Sequence, residues 1–212
     1  GAVALNGTGL TTVAIGSSGA NNVVGAVTTN SAVVTAVTIA AEKALTVASL
    51  GIGGTTAASL TISGAAADVA ATSTAAAHSA VVLGTLDTDF TSVTASGLTA
   101  GGVSATLSAT TAATFVGGAG NDTITTSTSG QTGSVDAGAG TGDTLVLTAT
   151  GHIDTTAEGA IYKGFEVLHS NDAAAAVSID MDTITGSTIG SILITDAANG
   201  TSVTDMSATQ AA

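Results

Sequence analysis

Large side chains are almost missing from this chain: 212 residues contain three Phe, one Tyr and no Trp. Hydrophobic residues still make up 44%, but many are Ala, whose burial contributes little beside the roughly 1.5–3 kcal/mol of a buried Leu or Phe. A thick core between two broad layers cannot be filled from such material. A narrow core, a few side chains across and repeated along the chain, can. Pro is absent as well. Because Pro cannot donate to a ladder and is confined to sheet edges, a chain without it suits strands paired on both sides.

Short β-type runs recur: Leu10 to Ile15, Ala32 to Ile39, Ala58 to Ser63, Ser92 to Ser96, Thr144 to Thr150 and Ser191 to Thr195. Each is rich in Val, Ile, Leu and Thr and bounded by Gly, Ser, Asn or Asp, and several alternate with period two. Helical periodicity is weak, and the Ala-rich stretch Ala65 to Ala80 is the best helical candidate. A phrase Ser-apolar-x-apolar-x-Gly appears at Ser49 to Gly54, Ser59 to Gly64 and Ser92 to Gly97, with looser copies at Ser191 to Asp196 and Gly164 to Ser170. Its uneven spacing predicts a β-solenoid with coils of unequal length. The alternative is a Thr/Ala-rich β-sandwich.

Charge narrows the partners. Two basic residues, Lys43 and Lys163, face 15 acidic ones, for a net charge of -13. Such a polyanion repels phosphate backbones, which argues against a nucleic-acid partner, and anionic membrane surfaces likewise. Residues Gly1 to Ala41 carry no charge, yet Thr, Ser, Asn or Gly interrupts them too often for a spanning helix, and the aromatic girdles of a membrane barrel are missing. Without Cys there is neither a disulfide nor a thiolate metal site. The opening residues show no basic and apolar leader pattern. Together with the absence of an initiating Met, this gives the expectation of a mature form or a fragment.

One motif carries chemistry. Gly117 to Thr125 reads G-G-A-G-N-D-T-I-T and matches every position of the nonapeptide G-G-x-G-x-D-x-U-x. Its glycines permit a tight turn with converging carbonyls, Asp122 supplies a carboxylate, and Ile124 enters the core. Asp136 to Leu147, D-A-G-A-G-T-G-D-T-L-V-L, is a second turn of the same type with one extra residue before Asp143. Thr126 to Ser134, between them, would form the opposite turn of the coil. Asp carboxylates and backbone carbonyls are oxygen ligands of the kind calcium prefers.

These residues resemble the RTX calcium-binding parallel β-roll, and more narrowly the RTX-related surface-layer proteins of bacteria. The narrower resemblance rests on Thr111 to Ile124, Gly138 to Leu147 and the Gly-Phe-Glu-Val-Leu phrase of Gly164 to Leu168, and on a Thr/Ala/Gly-dominated composition. It implies an all-β, right-handed parallel β-roll or β-helix with calcium-binding turns, one-step export without a cleaved signal, and assembly with copies of itself at the bacterial cell surface. By position, the ion ligands it implies are Gly118, Gly120, Asp122, Asp136, Gly138, Gly140 and Asp143. The expected organisation is a Thr/Ala-rich irregular solenoid over 1–110, the calcium β-roll over 111–150, and continuing solenoid over 151–212.

Other residues speak less clearly. Asp87 with Asp89, and Asp180 with Asp182, would share one face if each pair lay on a strand, where a cation or solvent must offset their repulsion. His78, His152 and His169 have no metal spacing. No nucleophile elbow, phosphate loop or zinc-protease motif occurs, so the expectation is a protein that is not an enzyme. The leading reading is a structural subunit of a calcium-dependent surface layer or extracellular filament, with other copies and cell-surface polysaccharide as partners. The alternatives are an adhesin or ice-binding solenoid, for which T-x-T pairs occur at Thr123, Thr126 and Thr183, and a calcium-binding accessory region of a secreted hydrolase.

Overall fold

The computed structural model describes all residues except 55–56, 72–77, 128–129, 150, 172–177, 196–199 and 207–212. Eighteen strands occur among the described residues, and the odd strands and the even strands up to β14 separate into two sheets. The nine-stranded sheet stacks β1 (Val3–Leu5), β3 (Asn22–Thr29), β5 (Leu45–Ile52), β7 (Val81–Thr85), β9 (Val103–Thr106), β11 (Thr123–Thr125), β13 (Thr144–Leu147), β15 (Val167–Ser170) and β17 (Ser191–Ile194). The seven-stranded sheet stacks β2 (Thr12–Ser17), β4 (Ala36–Ala41), β6 (Ala58–Ala67), β8 (Phe90–Ala100), β10 (Thr114–Val116), β12 (Val135–Asp136) and β14 (Tyr162–Lys163). A two-stranded sheet, β16 (Ser178–Asp180) and β18 (Ser202–Thr204), follows near the C-terminal end.

Within each sheet, every strand pairs in parallel with the strand two places on in the chain; among the described residues only the step from β14 to β16 is not paired. The chain therefore winds as a right-handed parallel β-helix of about 8 turns, with one strand per turn in each main sheet. A sandwich of antiparallel hairpins is ruled out by this pairing. Both main sheets run through the expected boundaries at 110/111 and 150/151 without a break in stacking.

Stacking like on like makes the narrow core. Val13, Val37, Leu60, Val93, Phe115, Val135 and Tyr162 form one inward column of register partners. Ala105, Ile124, Leu145, Leu168 and Ile192 form the facing column of the other sheet. All four aromatic residues, Phe90, Phe115, Tyr162 and Phe165, are buried, so the few large side chains are all used to widen the same core. Two copies of the repeated phrase lie directly upon each other, Ser59 on Ser92, Leu60 on Val93 and Thr61 on Thr94. The first copy lies on β5, in the opposite sheet.

All six sequence-predicted runs contain a strand. The helical candidate does not hold: Ala65–Ala67 completes β6 and Val69 bridges His78 antiparallel, while 72–77 lies outside the described residues. The α-helix among the described residues is instead α1 (Thr156–Gly159), closed by a capping box between Thr155 and Glu158. The Thr155-x-x-Glu158 spacing is its sequence signature.

Candidate functional site

The two Gly/Asp turns stack on one edge of the solenoid, each carrying the chain from the seven-stranded to the nine-stranded sheet. Gly117–Asp122 connects β10 to β11, and Ala137–Asp143 connects β12 to β13. Main-chain bonds join the turns, from Gly117 N–H to Asp136 O, Ala139 N–H to Gly118 O and Thr144 N–H to Asp122 O. The approach is close enough to require glycine. A Cβ on Gly117 would stand 1.9 Å from the Ala137 carbonyl oxygen, and Gly138 adopts φ 91. The intervening Thr126 to Ser134 segment returns the chain on the opposite edge, where Gln131 Nε2 donates to the Ala113 and Gly133 carbonyls; residues 128–129 of it lie outside the described residues.

Asp122 and Asp143 are brought together and wholly buried, each 0% exposed. Asp122 accepts the Val103 N–H at Oδ1 (2.7 Å) and the Gly118 N–H at Oδ2 (3.1 Å). Asp143 Oδ1 accepts the Asp122 N–H at 2.7 Å, whereas its Oδ2 has no hydrogen-bond partner. Leaving a buried charged acceptor unmatched costs more than a typical hydrogen bond contributes, so this oxygen is the open valence of the site. The same carboxylate and the Gly120 carbonyl oxygen all lie within 2.8 Å of where a Cβ on Gly140 would stand.

Electrostatics follow from burial. The Asp122 carboxyl is pushed up to about 7, first by loss of solvent and then by the negative charges of Asp143 and Asp68, with the N–H bonds from Val103 and Gly118 opposing. Asp143 is pushed up to about 6 by the same desolvation and by Glu166 and Asp68, with the Asp122 N–H opposing. A buried carboxylate pair is costly unless it is protonated or balanced by a cation. The Asp143 carboxylate and the Gly120 carbonyl converge on one point, and oxygen donors of this kind suit a hard divalent cation, while both Asp122 oxygens are engaged with N–H groups.

The remaining expected ligands fall differently. Asp136 stands at the other end of its turn from Asp143, half-buried, with Oδ1 accepting the Gly138 N–H at 3.0 Å. The Gly118 carbonyl already accepts the Ala139 N–H. Neither paired-acid stretch is a two-residue strand face. Asp87 and Asp89 lie in the turn before β8, where Asp87 accepts the Ile52 and Asp89 N–H groups. Asp180 ends β16 and Asp182 lies in the following 3-10 helix. Asp180, Asp182 and Asp205 form an exposed group with carboxylate oxygens within 4.8 Å of one another, without the burial that marks Asp122 and Asp143.

The histidines serve separate sites. His78 Nδ1 contacts the Ser79 carbonyl, His152 Nδ1 the Thr126 hydroxyl, and His169 Nε2 the Thr195 hydroxyl. Compared with protein-family models, curated proteins and solved structures, the chain shows no match.

Two acids at this edge escaped the sequence reading. Asp68, in the segment after β6, accepts N–H groups from Ala80, Gly102 and Asn121. Glu166 Oε2 accepts the Asp143 N–H at 2.9 Å. A signal for the second does exist: Asp122-Thr-Ile, Asp143-Thr-Leu and Glu166-Val-Leu each place an acid just before an outward-inward strand pair. In the fold, each of these acids accepts the N–H of its counterpart one coil earlier, across 19, 21 and 23 residues.

Proposed function

We propose that this chain is a calcium-stabilised structural subunit that assembles with copies of itself into a bacterial surface layer or extracellular filament, and that it is not an enzyme. The observation that carries the calcium part is the buried Asp122–Asp143 pair with an unpartnered Oδ2 beside the Gly120 carbonyl. Bound calcium would supply positive charge to this buried pair; Lys163 stands one coil on as the exposed register partner of Asp136, at the other end of the turn from Asp143. Asp122, Asp143 and the carbonyls of the glycine turns are the residues that would hold it, with Asp136 contributing only if its own turn reorients.

The assembly part is supported by the charge balance and the resemblance to RTX surface-layer proteins. At net charge -13, copies repel one another, so a cation that neutralises carboxylates favours both folding and association. Light scattering and electron microscopy in matched calcium and sodium chloride test this. Sheets or filaments that form in calcium and dissolve in chelator support the reading; a chain that stays monomeric in both overturns it.

One observation favours the adhesin or ice-binding reading. The outward files of the seven-stranded sheet stack small residues in register: Thr12, Ala36, Ser59, Ser92 and Thr114, beside Ala14, Thr38, Thr61, Thr94 and Val116. Over β2 to β10 this face is uncharged and presents hydroxyls at the regular strand spacing of about 4.8 Å, a regularity that the linear sequence conceals; Asp136 and Lys163 continue the second file beyond Val116. Growth inhibition of ice crystals by the monomer would move the assignment to that reading.

A further inference from the structure

We infer that Asp68 and Glu166, which lie outside both glycine turns, are positioning residues of the Asp122–Asp143 cation site. The inference rests on the calcium reading above and extends it to two residues that the turn motif does not contain.

The geometry is that of a clamped pair. Asp122 and Asp143 contact each other through the Asp122 N–H and Asp143 Oδ1, and each is anchored from outside. On one side, Asp68 Oδ2 accepts the Asn121 N–H at 3.0 Å, which holds the peptide next to Asp122. Its Oδ1 accepts the Gly102 N–H at 2.8 Å and the Ala80 N–H at 2.9 Å. One carboxylate thus ties together the starts of three successive coils. On the other side, Glu166 Oε2 accepts the Asp143 N–H, and the Glu166 N–H returns to the Asp143 carbonyl at 3.0 Å. That reciprocal pair fixes the main chain from which the unpartnered Oδ2 projects.

A ligand carboxylate binds well only if its position is already set, because ordering it on binding subtracts from affinity. Partners that orient metal ligands from the surrounding shell typically matter by about 10–100-fold in affinity. Asp68 does this with both carboxylate oxygens engaged with peptide N–H groups, and Glu166 does it through Oε2.

The test is isothermal titration of the full chain with calcium chloride, comparing the parent with Glu166→Ala, Glu166→Gln, Asp68→Ala and Asp87→Ala. Glu166→Ala and Asp68→Ala should weaken calcium by about 10–100-fold. Glu166→Gln should restore it to within about threefold, because the amide oxygen still accepts the Asp143 N–H. Asp87→Ala removes a carboxylate with the same capping chemistry at a different turn and should leave calcium affinity unchanged even where it lowers the melting temperature. If the parent binds calcium and the two alanine variants bind equally well, the positioning role is wrong and the calcium reading stands. A Glu166→Gln variant as weak as Glu166→Ala would also overturn positioning, by showing that charge and not the hydrogen bond matters. A parent that binds no calcium at millimolar concentration overturns both readings.

Discussion

The main-chain N–H of Asp122 donates to Oδ1 of Asp143 at 2.7 Å, so that one buried carboxylate is seated on the backbone of the other. The bond joins residues 21 apart that occupy the same place in successive coils. It holds two carboxyl groups in neighbouring coils at zero exposure, a relationship that makes the edge sensitive to protons and cations.

Without calcium, stability should fall as pH rises. The Asp122 carboxyl titrates near 7 in the fold, above its ordinary value of 3.8. Between those values the folded state binds more protons than the unfolded chain, so raising the pH through this window favours unfolding. The loss is about 2–4 kcal/mol between pH 4 and 8. Thermal unfolding of metal-free protein should give a higher melting temperature at pH 5 than at pH 8, and saturating calcium should flatten that slope.

Asp143→Asn should separate folding from calcium response. The amide oxygen can still accept the Asp122 N–H, while the buried charge and its unpartnered Oδ2 are gone. Metal-free at pH 8, the variant should be more stable than the parent by about 1–2 kcal/mol, allowing for screening. Calcium should no longer raise its melting temperature. Denaturant titration with and without the ion checks both statements.

Gly117→Ala should destabilise by about 3 kcal/mol or more, since a methyl group 1.9 Å from the Ala137 oxygen forces two coils apart. Gly16→Ala on β2 meets nothing within 4 Å and should change stability by less than about 0.5 kcal/mol. Chemical denaturation of the pair distinguishes close coil approach from a general effect of replacing glycine.

The inward column yields a contrast between size and polarity. Phe115→Ala, a truncation at 1% exposure, should cost about 3–5 kcal/mol. Tyr162→Phe removes a buried hydroxyl without a partner and should be neutral or stabilising by up to about 1 kcal/mol. Burial also pushes the Tyr162 hydroxyl up to about 12, so alkaline difference spectra should show it ionising only as the coil opens.

Strand identity and the glycine turns were legible in the sequence because both are local. Alternation of Val, Ile and Leu with Thr and Ser marks which side chains of β2, β4, β6 and β8 point inward, and it needs no knowledge of partners. The tight turn at Gly117–Asp122 follows from glycine's backbone freedom and the acid that closes it. The narrow supply of large side chains similarly pointed to a stacked thin core. Tertiary structure decided which coils meet at what register, because the intervals between equivalent residues vary, with 19 residues from Val103 to Asp122, 21 from Asp122 to Asp143 and 23 from Asp143 to Glu166. No fixed period could therefore align Ser59 with Ser92 or Asp143 with Glu166. Asp68 is the extreme case: it sits 53 residues before the Asn121 N–H that it accepts, and nothing in its immediate neighbours marks it. Its role exists only because hydrogen bonds across a solenoid depend on distance through space, which stacking sets and chain separation does not.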